Sequence, residues 1–199
     1  METAVKRYTG VAMALHWLIA AAVLAMFATG LWMVDAIDVK ETRAEAFAVY
    51  QWHKSLGLTI LLAMGLRLLW RVAHRPPPMP STMTTFERAA AHTAHLGFYV
   101  LLLAVPLLGW AMVSASVFGL PTIWFGLFQW PHLPVLSGLE DKKTVEEALK
   151  TAHSWGAYAL IGLVVLHVAA VLKHAFVDRD DVVKRMLPGG AEQKAGRTT

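Results

Sequence analysis

Two histidines, His153 and His167, stand fourteen residues apart in a stretch otherwise built for hydrocarbon, TAHSWGAYALIGLVVLHVAAVLK. At about 100° per residue that spacing returns the second side chain to within roughly 40° of the first, and at 1.5 Å per residue it separates them by about 21 Å. One helix face therefore offers an imidazole at each of two depths. His16, in AMALHWLIA, and His53, in YQWHKSLGL, add two more near the ends of apolar runs. Neutral imidazole is a metal ligand, and polar groups inside a membrane span are costly enough to mark function.

Positioning such residues requires helices that cross a bilayer. Of 199 residues 56% are hydrophobic and only 16% charged, and the mean hydropathy is +0.48, which sets the chain apart from soluble domains. The apolar runs predict an all-α integral membrane four-helix bundle, with spans over residues 12–34, 51–73, 90–113 and 152–174 inside one membrane domain, 1–190. Lys6 and Arg7 precede the first run, but it exceeds about 20 residues and no small-residue cleavage site follows it, so it reads as a retained span rather than a signal peptide. HRPPPMPSTMTT is a stiff connector, because consecutive prolines cannot continue a helix. Residues 114–143 form the longest non-spanning stretch. Their Trp124, Phe125, Phe128 and Trp130 predict a segment lying along the membrane surface. Thr144 and Glu147 match a capping box opening the last helix, DRDDVVKRML reads as a short surface helix, and residues 191–199 as a disordered tail. With no cysteine, iron–sulfur clusters, zinc–thiolate sites and thioether-linked haem are excluded. The net charge of +4 is modest, and no nucleic-acid partner is expected.

Four spans put both termini on one side. That side collects twelve of the 18 basic residues, among them Arg67, Arg71, Arg75 and Arg88, so the positive-inside rule predicts cytoplasmic termini. Depth then pairs the histidines. His16 enters span one from the cytoplasm and shares a level with His167; His53 and His153 share the other level. Bundles build cofactor sites from side chains on facing helices in this way. Haem iron with imidazole on both axial positions has no open site and suits one-electron transfer. For each histidine alone, an interfacial polar residue is the competing reading; four pairing by depth argue against it.

His92 and His95 open span three at the cytoplasmic level. His95 could replace His16 as partner of His167, or bond a haem propionate or quinone. Arg67 and Arg71, four apart on one helix face, either snorkel to headgroups or pair with propionates. His174, seven past His167, lies at the membrane surface, with a site role and a solvated one both open. Gly30, Gly57, Gly65, Gly97, Gly109, Gly156 and Gly162 let helices approach closely and make room for a flat macrocycle. No catalytic residue is assigned.

AMALHWLIA, YQWHKSLGLTILLAMGLRLLWR, the PPP connector, HTAHLGFYVLLLAVPLLGW, HSWGAYALIGLVVLHVAAVLKHAF and the ending VKRMLPGG together resemble the bacterial cytochrome b561 family from about Tyr8 to Gly190. The resemblance implies two haem b groups (protohaem IX) in a multi-pass protein of the bacterial inner membrane, embedded in lipid. It places axial ligands at His16, His53, His153 and His167, and implies electron transfer linked to ubiquinone. One family member is a superoxide:ubiquinone oxidoreductase. The aromatic-rich loop here would reshape the surface where a periplasmic donor docks, and it suggests a periplasmic redox partner, or a role as membrane-anchor cytochrome subunit of a larger complex, as alternatives to superoxide.

Overall fold

The computed structural model describes residues 7–80 and 82–187; the expected tail at 191–199 lies outside the described residues. Four long helices carry the fold, α1 (Gly10–Ala36), α2 (Arg43–Ala73), α3 (Thr85–Ala115) and α5 (Lys142–Leu172), and all four are long and apolar enough to cross a membrane. Between α3 and α5 lie two short antiparallel strands, β1 (Thr122–Trp124) and β2 (Phe128–Trp130), and a one-turn helix α4 (Pro134–Ser137). After α5 the chain continues into a π-helical turn, Lys173–Asp178, and a 3-10 turn, Val183–Arg185.

Each helix has a local reason to start where it does. The Thr9 hydroxyl accepts from the Ala12 N–H at the head of α1. At α3, Thr84 and Glu87 form a complete capping box, each side chain bonding the other's backbone N–H. The box expected at Thr144 is not formed. Asp141 caps α5 instead, accepting from the Thr144 N–H at 3.2 Å, so Thr144 lies inside the first turn. Helix α2 begins eight residues before the expected span, and the expected surface helix after Lys173 is replaced by the π and 3-10 turns. Arg179, at φ 52°, ends the π turn and folds Asp180 back.

Packing is anchored midway along the bundle by Ile19 and Val23 of α1, Ile60 and Met64 of α2, Leu102 of α3 and Leu160 of α5. Outward faces are apolar and open, with Leu18, Leu69 and Leu166 each about two-thirds exposed, as suits a bundle solvated by lipid. Glycine brings α3 and α5 together: a Cβ on Gly156 would lie 2.9 Å from Val105 Cγ2, and one on Gly97 3.1 Å from Leu163 Cδ2. Among the described residues, α5 packs along α3 and α1 along α2, with α2 also meeting α3, while α5 scarcely approaches α1 or α2.

The segment between α3 and α5 is a small clamp over one end of the bundle. Gln51 and Lys54 both donate to the Pro121 carbonyl at 3.0 Å, and the Trp124 indole donates to Thr59 at 3.2 Å. Buried Ser55 accepts from the Phe125 N–H at 3.1 Å, and its hydroxyl faces the Gln51 and Ile123 carbonyls. These contacts hold Phe125 at φ 47°, a left-handed conformation that a bulky residue adopts only under tertiary constraint. At the opposite end, Trp17 donates to the Met186 carbonyl at 2.8 Å, and the Tyr8 N–H to that of Arg185 at 3.3 Å. Both ends of the described chain therefore meet at the end opposite the hairpin.

Candidate haem sites

The histidines fall on two levels separated by the packed apolar layer. On three helices the positions step by seven residues: His53, Ile60 and Arg67 on α2; His95, Leu102 and Gly109 on α3; His153, Leu160 and His167 on α5. Seven residues return a helix to nearly the same face. Ile60, Leu102 and Leu160 are the buried middle members of these rails.

On the hairpin side, His53 of α2 faces His153 of α5 with ring centres 6.4 Å apart and planes at 69°. Two imidazoles sharing one metal, each with a bond of about 2.0–2.1 Å and roughly 1.1 Å from nitrogen to ring centre, would stand about 6.2–6.4 Å apart. The bonding also assigns the tautomers. His153 Nδ1 lies 2.9 Å from the Val105 carbonyl oxygen, so it must carry the proton it donates. Thr29 gives its own hydroxyl proton to the Ala25 carbonyl at 2.7 Å, leaving its oxygen to accept from His53 Nδ1–H at 3.3 Å. Each ring is left with an unprotonated Nε2, the form that ligates, oriented by a bond on its other nitrogen. His53 Nε2 is buried with no hydrogen-bond partner, an orphaned acceptor that a metal would satisfy.

Glycine makes both ring positions accessible. A Cβ on Gly30 would stand 3.1 Å from His53 Cε1, and one on Gly109 would stand 3.1 Å from His153 Cε1 and 3.2 Å from its Nδ1. These two glycines make room for the imidazole rings themselves. Gly57, by contrast, rests against Met26 as a packing residue.

On the termini side, His16 of α1 and His167 of α5 repeat the arrangement, with ring centres 6.4 Å apart and planes at 68°. His95 of α3 is a second neighbour of His167, at 6.2 Å and 62°. Phe98 stands edge-on to His167 at 5.3 Å. Arg67 is close enough to act electrostatically on both His16 and His95, and it donates to the Ala12 carbonyl at 3.1 Å, tying α2 to α1. The Arg71 guanidinium stands 5.6 Å over the Tyr99 ring. The structure thus brings His16, His95, His167, Arg67 and Arg71 to one level.

His174 lies elsewhere. It is buried in the π turn, with Nδ1 2.7 Å from Asp180 and 3.1 Å from Asp178, beside the ion pairs that Lys173 makes to Asp178 and Glu87. His92 is exposed, and His74 stacks on Trp70.

Two His–His couples bridge the wide gaps that α5 leaves toward α1 and α2, and paired imidazoles on facing helices are donors of the kind that haem iron takes in helical bundles. A sequence profile described as prokaryotic cytochrome b561 matches residues 7–189, nearly the whole chain. The chain belongs to the prokaryotic cytochrome b561 family. It is 37% identical over 183 residues to cytochrome b561 homolog 2 of Escherichia coli (strain K12), covering 92% of each chain. It is also 28% identical over 188 residues to the probable superoxide oxidase CybB of Yersinia pestis, covering 92% of this chain and 97% of that protein. Cytochrome b561 homolog 1 of Escherichia coli is 24% identical over 136 residues, 68% of this chain and 73% of that one. Membership makes this a multi-pass membrane cytochrome of electron transport and implies that it binds haem b.

Sequence reasoning missed Thr29 and the Val105 carbonyl. A threonine in a span ordinarily bonds the carbonyl four residues back, and nothing in its position announces a second bond. Gly30 and Gly109 were visible only as members of a larger set of glycines.

Proposed function

We propose that this cytochrome holds two haem b groups, one between His53 and His153 and one between His16 and His167, and carries single electrons across the bilayer. The electrons run between a periplasmic donor and the ubiquinone pool. The observation that carries the reading is the repetition of one geometry at two levels: two imidazole couples, each 6.4 Å apart and crossed at 68° or 69°. When bound, haem would supply a one-electron redox couple, held at one level by His53 and His153 and at the other by His16 and His167. The chain's own residues orient the imidazoles and exclude water between the levels.

The excess of basic residues at the termini side, twelve against six, puts that side in the cytoplasm of the inner membrane. The His16 level then faces the cytoplasm, where Arg67 and Arg71 supply positive charge for haem propionates. Haem content by pyridine haemochrome assay tests the reading, with two groups per chain expected. His53→Ala and His153→Ala should each remove the same haem, and His16→Ala and His167→Ala the other. A folded, haem-supplied protein with fewer than two would refute it.

The 6.2 Å separation of His95 from His167 favours one alternative at the cytoplasmic level, in which His95 replaces His16 as ligand. Superoxide as the periplasmic donor is a second reading, supported by the similarity to the probable superoxide oxidase of Yersinia pestis. The hairpin over the His53 level bears on it, since it lies over the end that a donor would approach. Stopped-flow mixing with superoxide distinguishes the two, rapid haem reduction being expected only of a superoxide oxidase. A third reading, membrane-anchor subunit of a larger redox complex, predicts co-purification with a soluble redox subunit.

A further inference from the structure

We infer that Thr29 is a positioning residue for the haem held by His53, fixing the ligating tautomer and keeping that haem's reduction potential low. The inference rests on the two-haem reading above. Thr29 is one residue before Gly30, so α1 presents a hydroxyl and a missing Cβ side by side to the same imidazole. The hydroxyl proton is committed to the Ala25 carbonyl at 2.7 Å, so the oxygen facing His53 can only accept. An acceptor on Nδ1–H makes Nε2 a stronger electron donor, and a stronger donor favours oxidised iron.

The effect is confined to one level. His153 has its own acceptor in Val105, whereas among the described residues no hydrogen bond reaches the rings of His16, His95 or His167. Removing Thr29's oxygen should therefore move one potential and leave the other in place. Thr29→Val keeps the branched shape and deletes the acceptor, while Thr29→Ser keeps the acceptor and deletes a methyl group.

The test is a spectroelectrochemical titration of the purified holoprotein, parent and both variants. His53→Ala identifies the component that belongs to the outer level. In Thr29→Val that component should be about tenfold more reduced at a fixed ambient potential, an upward shift of about 59 mV for a one-electron couple. The second component should not move, and Thr29→Ser should titrate like the parent. Two haems with unmoved potentials in Thr29→Val would overturn the role of Thr29 and leave the two-haem reading standing. A parent with fewer than two haems, or one that His53→Ala leaves intact, would overturn both. Should Thr29→Val lose its outer haem, retention by Thr29→Ser at the parental potential supports the inference; loss from both variants reduces Thr29 to packing and refutes it.

Discussion

Replacing Gly109 by alanine would put a methyl carbon 3.1 Å from Cε1 and 3.2 Å from Nδ1 of His153. Non-bonded carbons are comfortable at about 3.5–4.0 Å, so the ring must retreat by roughly 0.4 Å or more. Its hydrogen bond to Val105 has little slack. At 2.9 Å now, it would stretch toward about 3.3 Å and weaken. Outright loss of such a bond costs on the order of 1 kcal/mol, and loss of an orienting partner of a metal-bound histidine typically lowers affinity about 10- to 100-fold, so these figures bound the effect. The expected result is a faster loss of the haem held by His53 and His153, by about tenfold or more, with the second haem retained. Haem transfer to an excess of acceptor apoprotein measures it. Unchanged haem loss in Gly109→Ala would refute the claim that the glycine makes room for the imidazole.

Further consequences can be checked separately. His16→Ala should abolish one haem and His95→Ala should retain both, read from the haem-to-protein ratio; the reverse pattern would reassign the ligand of His167. Ser55→Ala should loosen the hairpin by about 1 kcal/mol, because the part-buried Phe125 N–H loses its acceptor, and limited proteolysis near Gly126 should quicken while haem content holds. Thr84→Ala removes the hydroxyl half of the α3 cap and should lower stability by about 1 kcal/mol in a detergent thermal melt, without changing the haem spectrum.

Much of the architecture is legible from composition, because the bilayer permits few solutions. Runs longer than about 20 apolar residues must be helices, and the four appear as such. Membership of the family was likewise readable from motifs in all four spans. The two levels of histidines follow from counting along helices, since rise and twist are nearly constant. What resisted was everything set by contacts between elements. Strands of three residues are too short for alternation to show, so a hairpin pinned by Ser55 and Gln51 looked like an aromatic surface segment. Asp141 and Thr144 are both good caps, and the choice between them depends on where the chain leaves the hairpin. Thr29 and Val105 act on imidazoles 24 and 48 residues away. No local pattern encodes that partnership.

The layer of Ile60, Leu102 and Leu160 has a consequence for the energetics of the membrane as a whole. None of these three side chains can carry a proton, so they offer no proton path beside an electron passing between the two proposed haem levels. Two levels about 21 Å apart in a hydrocarbon core of about 30 Å span roughly 0.7 of its thickness. Moving one charge across the full membrane corresponds to about 2.3 kcal/mol per 100 mV, so this passage is worth about 1.6 kcal/mol per 100 mV. On the proposed orientation an inside-negative voltage opposes inward electron flow by that amount, so the cell's energisation acts as a brake on this cytochrome and its collapse as a release.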